Sequence, residues 1–238
     1  MKVDELVAAD AVLGRIDEFF DGVFAPLEAW VPRLSEQIRE RVARGPISGS
    51  QLVSLTQPDA HELLSNTDRP LYGAGFCATE AVVSVGNPLA WWQGPDRALL
   101  ASSTFGPGNA AIDLERLEWF RVPAATGERH VAGPFVDYLC SNEVTLTASL
   151  PVTVDGEFVG VACADVLASD LESEMLPLVS RLGKALLVNT RGRVAVSSWP
   201  GYDTGDLVRG AETGEPRVEG DPRVVQSPRH PFLLVVAA

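Results

Sequence analysis

The sequence predicts an α+β fold: one long helix, several short helices, and a mainly antiparallel sheet. Three observations predict it. Apolar residues recur at helical spacing from about Asp10 to Arg41, at Val12, Ile16, Phe19, Phe20, Val23, Phe24, Leu27, Val31, Leu34 and Ile38. Segments 144–154 and 157–166 are joined by Asp155-Gly156, a pair that favours a two-residue hairpin turn. No strand-helix-strand unit repeats along the chain, as a parallel nucleotide-binding sheet would require.

The first element is the helical stripe. Pro26 and Pro32 interrupt it, so a kinked helix or two helices in series is expected, with residues 1–45 as a helical segment. Its apolar face must pack on the rest of the chain, 46–238, or on a partner's helix, which makes it a candidate homodimer or regulator surface. Residues 43–51 read as a loop, and 57–64 as a short helix started by Pro58. Residues 81–85 and 89–92 read as strands separated by Gly86-Asn87-Pro88, with another at 99–104 and a short helix over 113–120.

In the hairpin, a plain two-residue turn pairs Val152 with Val159, Leu150 with Val161, Ala148 with Cys163 and Leu146 with Asp165. Both faces are apolar, so helices should cover both sides. Residues 169–182 follow as a helix with Ser169 and Glu172 at capping-box spacing. Strands at 185–189 and 193–197 come next, then an excursion rich in Gly, Pro and charge over 200–231, then a last strand at 232–236.

Composition narrows the function. The 238 residues are 46% hydrophobic, enough for a sizeable core without a metal or disulfide staple. A formal net charge of -13 offers no basic field to oppose phosphates, which argues against nucleic-acid binding and suits a small cationic partner. Residues 1–20 lack a signal-peptide apolar region, and no run approaches the roughly 20 apolar residues of a membrane span, so cytoplasmic residence without a membrane partner is expected. Cys77, Cys140 and Cys163 fit reduced core thiols better than a disulfide framework.

Few motifs carry chemistry. There is no phosphate-binding P-loop, no Gly-x-Ser-x-Gly, and no zinc spacing among His61, His130 and His230, so neither cofactor nor metal is expected. Asp165 stands out because a carboxylate closes an apolar strand, and burying it without a partner costs several kcal/mol. A bound amine, an arginine or a cluster of donors would satisfy it. Trp91, Trp92, Trp119, Phe120, Phe135 and Tyr138 are candidate walls for a cationic or aliphatic ligand, with Trp92 and Trp119 favoured because each lies beside a polar turn. Asp137 sits in a turn-like segment, where it orients a ligand amine or the backbone. Arg97 and Arg116 are candidate clamps for a carboxylate.

The ordered set Trp119-Phe120, Pro134-Phe-Val-Asp137, the strand from Val144, 154–165 and 187–197 resembles the Cache family of PAS-like sensor domains over roughly residues 10–200. The resemblance implies a PAS-like central antiparallel sheet behind a long N-terminal helix, with 46–238 as the ligand-binding domain. It implies a pocket for amino acids, amines or carboxylates, with Trp119 and Phe120 as its aromatic pair, Asp137 as a turn aspartate, and Asp165 receiving the ligand's amino group. The position of the family's carboxylate-binding arginine is Leu117 here, with Arg116 one residue away, which favours an amine over an ordinary amino acid. Most such domains are displayed outside a membrane; the expectation here is a stand-alone cytoplasmic sensor. The alternatives are a hydrolytic enzyme using the same cleft and a ligand-free oligomerisation module.

Overall fold

A computed structural model describes residues 3–65, 71–100, 104–105, 110–111, 113–136, 143–208, 218 and 220–237. The apolar stripe folds as a single helix, α1 (Val3–Val42), with Pro26 and Pro32 inside it. An interior proline costs a helix about 3 kcal/mol. Burial of Val12, Ile16, Phe19, Phe20, Val23, Phe24, Leu27, Leu34 and Ile38 offsets that, so one helix forms rather than two in series. The stripe is covered by the chain itself.

After the two-residue strand β1 (Ile47–Ser48) comes α2 (Gly49–Leu63), which begins well before Pro58. The Ser48 hydroxyl accepts from the backbone N–H of Gln51, and the Gln51 side chain accepts from the backbone N–H of Ser48. This capping box satisfies two donors at the helix start and explains why residues 49–51 are helical rather than loop. The chain continues through β2 (Gly73–Ala78), β3 (Val83–Val85), β4 (Leu89–Gln93), β5 (Ala98–Leu99), β6 (Thr104–Phe105) and β7 (Ala110–Ala111). A 3-10 turn (Leu114–Arg116) leads into α3 (Glu118–Thr126), and β8 (His130–Val136), β9 (Val144–Val154), β10 (Glu157–Leu167) and α4 (Ala168–Val179) follow. The last strands are β11 (Ala185–Asn189), β12 (Val194–Ser197), β13 (Arg223–Gln226) and β14 (Phe232–Val236).

Among the described residues, β5-β4-β2-β10-β9-β8 form a six-stranded antiparallel sheet and β12-β11-β14-β13 a separate four-stranded one. The PAS-like α+β architecture is therefore present, with α1 packed against β9 and β10 of the first sheet and β14 of the second. Strand β8 holds a segment that reads as a turn in the sequence, because Gly133-Pro134 interrupts its pattern. It lies at the sheet edge and its pairing with β9 shifts between Ala132 and Phe135, the setting in which a sheet tolerates proline. Helix α4 begins at Ala168, directly after β10, and Ser169 lies inside it rather than at its cap.

The hairpin register corrects the expectation by one residue. Glu157 pairs with Val154 and Phe158 with Thr153, but Gly160 then pairs with Val152, leaving Val159 as the extra residue of a β-bulge. Every later pair is displaced, so Asp165 lies opposite Thr147 rather than Leu146. A one-residue slip exchanges the two faces of a strand. Val159 joins the core under α1, while Phe158 packs with Val161 and Cys163 on the opposite face. The cause is Gly160, at φ +148, where a Cβ would meet the Cys77 carbonyl oxygen at 2.2 Å. Gly160→Ala should therefore destabilise the fold by about 2 kcal/mol or more in urea denaturation; an unchanged midpoint would show that the bulge does not need glycine.

Candidate functional site

The six-stranded sheet has two unlike faces. Ala74, Phe76, Trp92, Ala148, Ala162 and Ala164 belong to the large core that includes the residues of α1. Cys77, Leu89, Trp91, Val161 and Cys163 occupy the other face, which Trp119 and Phe120 of α3 close. On this second face, one cross-strand row runs Thr147, Asp165, Gly73, Gln93 through β9, β10, β2 and β4.

Asp165 is 2% exposed and its carboxylate is surrounded by donors. Thr147 Oγ1 donates to Oδ1 at 2.6 Å, while Trp91 Nε1 and Gln93 Nε2 donate to Oδ2 at 2.9 and 2.7 Å. Both oxygens accept, the pattern of an ionised carboxylate. Gly73 makes the arrangement possible: a Cβ there would meet Asp165 Oδ2 at 2.6 Å and Gln93 Cγ at 2.7 Å. Its missing side chain lets Gln93 and Trp91 lean across β2 to reach β10.

Beside this cluster lies a cavity of about 30 Å³ lined by Trp91, Gln93, Trp119, Phe135, Thr147 and Asp165, with Leu89, Leu100 and Thr145. That is room for a water or two, so a larger ligand must move part of the wall. The rings of Trp91 and Trp119 stand 5.5 Å apart at 60°. A larger cavity, about 240 Å³, lies between α1 and α2 and is lined by Trp30, Arg33, Asp59 and Glu62. There Asp59 already accepts from Trp30 Nε1 at 2.9 Å and pairs with Arg33 at 2.8 Å, so its charge is answered by a cation of the chain itself. Size favours that cavity; the paired indoles favour the one at Asp165.

The sequence-predicted residues divide. Asp165 and Trp119 line the cavity. Phe120 stands behind Trp119, edge-on at 6.2 Å, and meets Phe158 at 5.5 Å. Trp92 lies on the other sheet face, 5.6 Å from His61, because Trp91 pairs with Gly75 and alternation turns its neighbour away. Trp91 takes the wall position instead. Arg116 has an 86% exposed side chain and pairs with Asp113 at 2.8 Å, away from the cavity residues. Arg97 reaches the His61 carbonyl at 3.4 Å. Asp137 and Tyr138 lie outside the described residues.

Trp91, Gln93, Thr147 and Gly73 were not singled out as donors or spacer by sequence reasoning. Two signals point to them. Gln93 is two residues beyond Trp91 in a strand, hence on its face, and Thr145-x-Thr147 places hydroxyls at alternate positions of an otherwise apolar strand. Burial pushes the Cys77 and Cys163 thiols up, with Glu115 adding at Cys77 and Asp165 at Cys163, so neither offers a thiolate nucleophile. Among the described residues, no cluster of His, Cys, Asp and Glu could hold a metal ion.

Glu118, immediately before Trp119, fixes the start of α3. His130 Nε2 lies 3.1 Å from Oε1, and Arg191 Nη1 donates to Oε2 at 2.7 Å from the turn after β11. Burial pushes this carboxyl up, but the His130 hydrogen bond and the Arg191 charge outweigh it, leaving the pKa below the ordinary glutamate value. A depressed carboxyl pKa stabilises the fold above the unfolded-state value and loses that contribution as pH falls through the folded-state value. The stability gap between the wild type and Glu118→Gln should therefore be widest near neutrality and close as pH falls below the ordinary glutamate range. Denaturation midpoints measured across that range check this; a gap that stays constant would contradict it.

No protein-family model matches the chain, and no curated protein does. Solved structures do match in fold. The extracellular domain of the histidine kinase mmHK1S-Z3 superposes with TM-score 0.63 at 13% identity, covering 99% of this chain and 94% of that one. The ligand-binding domain of the Pseudomonas aeruginosa PAO1 amino acid chemoreceptor PctB, in complex with L-Gln, gives 0.62 at 14% identity, covering 100% and 90%. That of the Pseudomonas fluorescens chemoreceptor CtaA, in complex with L-serine, gives 0.54 at 12%, covering 96% and 93%. These matches correct the cytoplasmic expectation, because they are to an extracellular domain and to ligand-binding domains of receptors. Among the described residues no helix is long and apolar enough to cross a membrane, but that property is shared by any domain displayed beyond one. The chain has a PAS-like α+β fold, matched nearly end to end by the extracellular domain of a kinase and by ligand-binding domains of chemoreceptors.

Proposed function

We propose that this chain is a sensor module that binds a small amine-bearing molecule, with Asp165 pairing to its ammonium group. The observation that carries the proposal is a 2% exposed carboxylate lining an aromatic-walled cavity, with both of its oxygens accepting hydrogen bonds. A cation entering there gains a charge-assisted hydrogen bond, and Trp91 and Trp119 add cation–π attraction of roughly 0.5 to 2 kcal/mol. The net charge of -13 favours approach of a cation.

An amine is preferred over an ordinary amino acid. Arg116 is turned out to Asp113, so it supplies no partner for a ligand carboxylate in this arrangement. The matched receptors bound to L-Gln and L-serine support the ligand class at the level of an amino group. Display outside a membrane fits the same comparison. A hydrolytic reading has less to stand on, since Asp165 is the one ionisable side chain among the described residues that line the cavity.

A thermal-shift screen of amino acids and simple amines, followed by calorimetry on the strongest hit, tests the proposal. Asp165→Asn should weaken that hit by more than about tenfold with the circular dichroism spectrum retained, since it removes one charge with little change in size. Equal affinity in the folded variant would remove Asp165 from the binding role.

A further inference from the structure

We infer that Gln93 is a built-in stand-in for the ligand's ammonium group, so that it sets both the affinity of the site and its preference for cations over neutral molecules. The inference rests on the proposed amine-binding role of Asp165. Three donors among the described residues hold that carboxylate, and they differ in side-chain geometry. Thr147 is β-branched and lies directly opposite Asp165 on the neighbouring strand. Trp91 is 4% exposed, wedged against Trp119 and packed in one apolar cluster with Leu89 and Cys163, so its indole has little room to leave.

Gln93 is different. It is the last residue of β4, followed by Gly94, and it reaches Asp165 only by extending an unbranched side chain across Gly73. Its Nε2 donates to Oδ2 at 2.7 Å, the same acceptor that an incoming ammonium would take, and it is itself a wall of the cavity. Swinging it aside opens volume in a cavity of about 30 Å³ and exposes an acceptor at once. With Gln93 in place, a neutral hydroxyl gains nothing, because it exchanges one neutral donor for another. An ammonium exchanges a neutral donor for a charged one, and a charge-assisted hydrogen bond is roughly twice as strong. Discrimination then follows from competition rather than from shape.

The experiment compares wild type, Gln93→Met and Gln93→Ser by calorimetry with n-propylamine. Met keeps the length without the donor, and Ser serves if Met does not fold. The expected result is about tenfold tighter binding of n-propylamine in the folded variant, and loss of that gain when Asp165→Asn is added. Binding to wild type that is unchanged or weakened in the variant would overturn the role of Gln93 alone. A gain that survives Asp165→Asn would overturn it too, by placing the amine elsewhere. No binding by wild type or either variant would overturn the amine-binding reading and this inference with it.

Discussion

A carboxylate buried near the end of a strand sets the terms for the larger sheet. Left alone, such a charge costs several kcal/mol, a large share of the stability of an ordinary domain. Here Thr147, Trp91 and Gln93 answer it from β9 and β4, on both sides of Asp165. That solution dictates local sequence. Gly73 must lack a side chain for Gln93 and Trp91 to lean across β2, and the bulge at Val159 must turn Asp165 toward Thr147 rather than Leu146. The aromatic wall then follows, because Trp91 shares the face on which Asp165 points.

The two sheets meet beside this site. Asn189 Nδ2 donates to the Gly133 carbonyl at 2.6 Å, while its Oδ1 accepts from the backbone N–H groups of Arg191 and Arg193. Arg191 in turn holds Glu118, whose neighbour Trp119 lines the cavity. At the other end of the second sheet, Asp21 of α1 pairs with Arg129, Arg229 and His230, and Asp17 accepts from Ser227. Burial lowers the His230 pKa, with the Asp21 hydrogen bond opposing it, and the ring stacks on Phe24 at 5.7 Å. One helix and one wall of the cavity are thus each tied to the second sheet by buried or half-buried polar contacts.

Much of this was legible in the sequence where a periodic pattern ran long. The stripe of α1, the hairpin, the pair β11 and β12, and β14 follow from period 3.6 or period 2 over several residues. The start of α2 was legible only through Ser48-x-x-Gln51, and β8 was hidden by Gly133-Pro134. Strand register is the feature least visible in the residue pattern. A glycine that permits a bulge looks like any other in a strand, yet it moved Asp165 by one partner and exchanged the roles of Phe158 and Val159. The cavity lining divides along the same line: strand context points to Asp165 and a polar turn to Trp119, whereas choosing Trp91 over Trp92 requires knowing which face β4 turns inward.

A high-resolution structure of the protein soaked with its tightest-binding amine tests the central claim most directly. The ammonium nitrogen should lie about 2.7–3.0 Å from an Asp165 carboxylate oxygen, between Trp91 and Trp119. An amine seated instead against Trp30, Asp59 and Glu62 in the cavity between α1 and α2, with the donors around Asp165 undisturbed, would contradict it.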